Sequence, residues 1–271
     1  MADYEVLAGG VNEVIRIGDT VRRPTGPWSP RVHGLLRMLA ARGFRGVPRV
    51  LEITGDGFEV LDFLPGEVSN YPATPAAASP EALESAAELL RAYHDATAEY
   101  ARTAPRDGWQ IPAAEPVEVI CHGDYAPHNC VLDGNRVAGI IDFDHARPGP
   151  RLSDVAYAAY RWVPMSAPGT VEAAGSTTEE QAARLRIFCD RYGLDDAGRA
   201  GLIDAVAARL HTVVDFMRAR AAAGEEAYAG HLAAGHHVLY LGDADYVLAE
   251  RDVFERHLIG WPGQARSRSS S

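Results

Sequence analysis

Over the first quarter of the chain, hydrophobic and polar residues alternate in short runs. YEVL (4–7), VIRI (14–17) and TVRR (20–23), separated by AGG and GD, predict antiparallel strands joined by tight turns. The period then lengthens. Val32, Leu35, Leu36 and Leu39 recur at helical spacing; Ser29 is placed to cap that helix, Pro30 suits its first turn and Gly43 ends it. VPRVLEI (47–53) and FEVLDFL (58–64) return to strand patterning around the turn TGDG, until Pro65-Gly66 breaks it.

Residues 72–80 are rich in Pro, Ala and Ser and read as a linker. EALESAAELLRAYHDATAEY (81–100) is a long helix opened by Ser79-Pro80. VEVIC (117–121) and RVAGIIDF (136–143) are two more short strands. From about residue 151 to 257 the pattern is helical, with a polar break near 164–180, and the tail QARSRSSS offers nothing to a core. No internal repeat is visible. The expected order is an α+β chain of two lobes. A β-rich lobe with one helix spans 1–66, a hinge and linker 67–80, a larger helical lobe 81–260 and a disordered tail 261–271.

Composition narrows the function. A chain of 271 residues, 47% hydrophobic, can bury a substantial core, and no apolar run is long enough to span a bilayer. MADYEVLAGG has no basic region followed by an apolar one, so no secretory leader is expected. Cys121, Cys130 and Cys189 form no CxxC pair and read as small core residues of a reduced, cytoplasmic protein. A net charge of −11 disfavours nucleic acid as a partner. All 26 basic residues are arginine, so no mechanism can use a lysine.

The chemistry concentrates in HGDYAPHNC (122–130) and GIIDFDHA (139–146). Asp124 follows a strand, Asn129 precedes VLDGN, and Asp142 ends an apolar strand. A hairpin turning at Asp133-Gly134-Asn135 brings Asp124, Asn129 and Asp142 toward one point. Asn and Asp oxygens are hard ligands suited to Mg²⁺, and an Asp not committed to the metal can accept a proton from a hydroxyl. That is the minimal equipment for phosphoryl transfer, where positioning and charge neutralisation dominate.

The pattern H-x-D-x-x-x-x-N, followed thirteen residues later by the Asp of IIDFD, resembles the aminoglycoside phosphotransferase family, with its protein-kinase-like bilobal fold. The likeness is strongest from about 119 to 160. It implies Asp124 as the base, Asn129 and Asp142 as Mg²⁺ ligands, and ATP or GTP as co-substrate. It implies Asp154, in RLSDVAY, as a brace of the catalytic loop, although capping a helix at Ser153 explains that residue equally well. His122 matches a packing residue, not a proton carrier. LAGGVNEVIRI resembles the loop that covers the nucleotide, with Gly9, Gly10 and Asn12 over the phosphates. VLDFLPGE resembles the hinge, where backbone groups of Asp62, Phe63 and Leu64 would pair with adenine.

The small lobe departs from the family pattern. Kinase-like folds use a lysine on the third strand, held by a glutamate on the following helix. Here the strand reads TVRRP and the helix contains no acid. Arg22 or Arg23 is left to meet the phosphates, with His33 near the expected glutamate position. TVRRPTGPWSPRVHGLLR and LHTVVDFMRARAAAG also look like proteins described as phosphotransferases or as trifolitoxin-immunity-like, which suggests a lysine-free subgroup.

Blander roles stand beside these. Loop polar residues often only cap turns. Asp144 reads as a surface residue, His128 as a local hydrogen-bonding group, and His94 and His211 as ordinary helix histidines. Asp215, Glu225, Glu226, Asp243 and Asp245 fit a solvated face better than a cationic-ligand site. The leading expectation is a small-molecule kinase acting on a hydroxyl of an aminoglycoside-like or other polar substrate. The alternatives are a degenerate kinase fold that only binds a ligand or partner, and a metal-dependent hydrolase built on His122, Asp124, His128 and Asp142.

Overall fold

The computed structural model describes residues 4–7 and 14–259. It contains two compact units, Met1–Asp154 and Val155–Ser271.

The first unit opens with strands β1 (Tyr4–Leu7), β2 (Val14–Ile17) and β3 (Thr20–Pro24), then helix α1 (Ser29–Ala41), β4 (Val50–Ile53) and β5 (Phe58–Asp62). The five strands form one antiparallel sheet in the order β1-β2-β3-β5-β4. Side chains alternate across a strand, so each expected strand has one face to bury. In β5 these inward positions are Glu59 and Leu61, and in the register of β3 with β5 they stand opposite Arg23 and Val21. α1 seals the sheet through Val32, Leu35, Leu36 and Leu39, all within 2% of full burial. Its N-cap is Trp28 rather than Ser29; the Ser29 hydroxyl instead accepts from the Gly26 amide at 2.9 Å. Gly43, at φ +71°, lets the chain leave the helix in a left-handed turn.

The segment 67–80 is more structured than a linker. β6 (Glu67–Val68) joins the edge of a second sheet, and α2 (Pro75–Ala78) precedes the long α3 (Pro80–Thr103). Ser79 caps α3 by accepting from the Ala82 amide, as the sequence suggests. Three strands follow: β7 (Val119–Cys121), β8 (Cys130–Asp133) and β9 (Arg136–Ile140), with a 3₁₀ turn at Pro127–Asn129 between the first two. A hairpin turns at Gly134, φ +58°, as expected, but β8, and not the VEVIC strand, is what pairs with β9 there. β10 (Arg147–Gly149) returns antiparallel to β7, so both ends of the 122–146 stretch are pinned to strands. Buried Leu83, Leu90, Tyr93, Ile120 and Phe143 form the core beneath it. Helix α4 (Arg151–Trp162) begins at the end of this unit.

The second unit is helical, with α5 (Thr178–Tyr192), α6 (Asp196–Ala222), α7 (Glu226–Ala233), α8 (His236–Ala249) and α9 (Arg251–Ile259). Thr177 and Glu180 form a capping box on α5, and Gly193 at φ +74° ends it. Asp243 departs from the solvated role expected of it. It is 7% exposed and accepts from the Tyr160 hydroxyl at 2.7 Å and Ser166 at 3.0 Å, and burial raises its pKa. Among the described residues no helix is long and apolar enough to cross a membrane.

Candidate active site

The loop after β7 is held from beneath by one carboxylate. Asp154, in the first turn of α4 and 1% exposed, accepts from the amides of His122 (2.7 Å) and Gly123 (2.8 Å) and from His94 Nε2 (3.0 Å). Burial alone would raise its pKa. The hydrogen bonds from His94 and the Gly123 amide outweigh that and take it down to about 2. Asp154 therefore sits inside the helix and braces the loop. Gly123 has no alternative at its position. Its φ is +84°, and a Cβ there would collide with the His145 carbonyl.

His122 packs edge-on against Phe143, ring centres 4.8 Å apart. Its Nδ1 accepts from the Asp124 amide at 3.3 Å, which assigns the proton to Nε2, and Nε2 donates to the Ile141 carbonyl at 3.0 Å. Burial lowers its pKa, so the ring is neutral. It ties the loop to the segment just past β9 that carries Asp142.

Asp124 is partly exposed. Asn129 donates both amide protons to it, one to the main-chain carbonyl and one to Oδ2, each at 2.9 Å. Asn129 Oδ1 is then the atom left to meet a cation. The Asn129 carbonyl accepts from the Ile141 amide at 2.9 Å, which sets Asp142 beside this group. Asp142 adopts φ +59°, rare for a side-chain-bearing residue, and its carboxylate is about half exposed. His128 Nε2 lies 3.6 Å from Asp124 Oδ2.

The small sheet meets this group through Arg23. Successive residues of β3 point to opposite faces, so the two arginines part company. Arg22 faces outward, pairs with Asp56 at 2.7 Å and lies over the Phe58 ring. Arg23 is buried, and its guanidinium serves three carboxylates: Nε to Glu59 at 2.5 Å, Nη1 to Asp142 at 3.1 Å and Nη2 to Asp144 at 2.5 Å. Glu59 is 1% exposed and also hydrogen bonds His33 Nε2. Burial pushes the Glu59 pKa up, but His33 and Arg23 more than offset it and hold it low. For Asp144 burial and the Asp142 charge win over Arg23, and its pKa rises.

Three sequence expectations change here. The missing acid is present, on β5 rather than on α1. His33 touches that acid, not the arginine. Asp144 is an ion-pair partner of Arg23, not a surface residue. Glu59 was legible: strand alternation puts it on the face of Leu61, and a charge on the core side of a strand needs a partner. The register that makes Arg23 this partner was not.

Around the expected hinge, the Asp62 amide donates to the Arg49 carbonyl at 3.1 Å and the Phe63 amide to the Asp19 carbonyl at 2.8 Å. The Asp62 side chain pairs with Arg49 at 2.6 Å. Leu64 lines a surface depression with Asp62, Phe44, Arg45, Val47 and Arg49, apart from Asp124, Asn129 and Asp142. Gly9, Gly10 and Asn12 lie outside the described residues.

No group of three or more His, Cys, Asp or Glu residues able to hold a metal occurs among the described residues. The donor set nevertheless fits Mg²⁺ of the kind that arrives with a nucleotide, which takes one or two protein oxygens and completes its shell with phosphates and water. Asn129 Oδ1 and the half-exposed Asp142 carboxylate are such oxygens. The same set offers nothing to the hydrolase alternative, because His122 is spent on the Ile141 carbonyl and the Asp124 amide.

The model of the phosphotransferase enzyme family matches residues 6–118 and 98–188, well over half of the chain. The chain belongs to this family. The trifolitoxin immunity protein of Rhizobium leguminosarum bv. trifolii is 34% identical over 207 residues, covering 73% of this chain and 77% of that one. Among solved structures, an amicoumacin kinase in complex with AMP-PNP, Ca²⁺ and Ami superposes with a TM-score of 0.61 at 16% identity, over 79% of this chain and 80% of that one. A choline/ethanolamine kinase family protein from Mesorhizobium loti gives 0.60 at 18%, over 94% and 91%. The aminoglycoside phosphotransferase APH(2")-IIa, in a ternary complex with streptomycin and ATP, gives 0.53 at 12%, over 84% and 90%. At these identities the likeness establishes the fold, the protein-kinase-like fold of the phosphotransferase family.

Proposed function

We propose that this family member is a small-molecule kinase that transfers the γ-phosphoryl group of ATP or GTP to a substrate hydroxyl. The observation that carries the reading is the Arg23 contact with Asp142: a cation from the small sheet already reaches the carboxylate expected at the phosphates, although the usual lysine is absent. Asp124 is the base. The Asn129 bonds fix its carboxylate, and partial exposure leaves it open to a hydroxyl. Asn129 and Asp142 would hold Mg²⁺, which neutralises phosphate charge when bound. Asp154 and His122 keep the loop in shape, and Arg23, rather than Arg22, faces the phosphates. The residue split of 1–66 for the nucleotide and 81–260 for catalysis and acceptor belongs to the same reading.

The test is a titration of ATP and GTP, each with and without Mg²⁺, into wild type and D142A, followed by turnover with hydroxylated substrates in wild type and D124A. Mg²⁺-dependent binding lost in D142A, with turnover abolished but nucleotide affinity kept in D124A, is the expected result. Undiminished turnover in D124A would remove Asp124 from the mechanism.

A second reading is favoured by one observation, the 34% identity to an immunity protein. A kinase fold that only binds a ligand or partner would account for that relation without phosphoryl transfer. Absence of binding to either nucleotide in the same titration selects it.

A further inference from the structure

Arg23 is overcommitted. One guanidinium faces Glu59, Asp142 and Asp144, three carboxylates to one positive charge. The three contacts are not equivalent. Glu59 is almost wholly buried and is locked opposite Arg23 by the β3–β5 register, and Asp144 is 16% exposed. Asp142 is 49% exposed and makes the longest of the three contacts, so it is the partner most easily given up. It is also the carboxylate to which the kinase reading assigns the metal.

We propose that Arg23 couples metal binding to nucleotide binding by exchanging partners, an inference that rests on the kinase reading above. Without ligand, Arg23 Nη1 occupies Asp142 and competes with a divalent cation for it. When Asp142 goes to the cation, Arg23 stays anchored through Glu59 and Asp144, and the freed Nη1 is held in place to meet the phosphates. Metal and nucleotide then strengthen each other through one side chain, and linkage makes that strengthening reciprocal. Arg23 acts here as a positioning residue with a shared donor. A guanidinium suits this role: it has enough separate N–H groups to keep two anchors while the third changes partner, whereas an ammonium is a point charge.

The test uses Mn²⁺ alone, followed by electron paramagnetic resonance, on wild type and on R23Q/E59Q. The double variant removes one positive and one negative charge. It therefore leaves the net charge of the cluster unchanged and strands no buried carboxylate at position 59. A urea melt confirms that it is folded. With the competitor gone, Mn²⁺ affinity should rise about tenfold, inside the 5- to 150-fold range typical of coupled sites. The factor by which Mg²⁺ improves ATP affinity in calorimetry should shrink by a similar amount. Equal Mn²⁺ affinity in a folded double variant, with wild type still binding Mg²⁺–ATP, overturns the exchange and leaves the kinase reading standing. If wild type binds neither Mn²⁺ nor nucleotide, both fall together.

Discussion

Replacing Asp154 by Asn tests whether the loop that carries Asp124 is held by charge or merely by shape. The carboxylate accepts three hydrogen bonds, from two main-chain amides and His94, and it does so fully buried. An amide keeps the size but has only one acceptor atom, and its NH₂ group must point at a donor. At least one buried N–H is then left unpaired, at a cost of about 1–3 kcal/mol. The pKa gives an independent figure. A fall from 3.8 to about 2 corresponds to about 2 kcal/mol of stability, since each unit is worth about 1.4 kcal/mol. Because the folded-state pKa is depressed, this stability is fully present above pH 4 and is lost as pH falls from about 4 through about 2. Urea unfolding of wild type and D154N across pH 2–7 reads both. D154N should be about 2 kcal/mol less stable at neutral pH, and the gap should narrow in the acid range, where wild type loses its advantage. Parallel profiles with equal midpoints would refute the brace.

Other expectations follow from the same contacts. E59Q should destabilise the fold by about 1.5–3 kcal/mol in thermal unfolding, because a buried charge-assisted hydrogen bond is lost while Asp142 and Asp144 still pair the guanidinium, whereas R22A, whose ion pair is exposed, should stay within about 0.5 kcal/mol of wild type. G123A forces a Cβ into the His145 carbonyl at a positive φ; it should abolish turnover while circular dichroism still reports a folded chain. The three cysteines are buried, and burial pushes the Cys189 thiol up to about 12. A thiol reagent at pH 8 should label none in the native protein and three after unfolding, and rapid native labelling would contradict the placement.

What could be read from the sequence was local. The strands around GD and TGDG, the helix starting near Ser29 and the cap at Ser79 each rest on turn and cap residues, and each is found within about three residues; the turn at Gly134 was legible too, but the strand that enters it was not. The juxtaposition of Asn129 and Asp142 followed from strand geometry, since one hairpin joins them. Asp154 could not be decided in advance, because the same residue type caps helices and braces loops; only its three donors separate the two roles. Asp144 was misjudged, and Glu59 was left without its partner, for another reason. Their partner lies 36 and 121 positions away, and nothing local in FEVLDFL or IIDFD reveals the register that brings Arg23 onto both.

That register has one more effect. In protein kinases the strand lysine and its glutamate sit on different elements, and moving the helix that carries the glutamate parts them and turns the enzyme off. Here both partners belong to neighbouring strands of one sheet, directly across a ladder. A swing of α1 would carry away only His33 and leave the salt bridge closed. Moving that helix therefore does not part the pair, and the helix swing that controls the ion pair in protein kinases has no counterpart here.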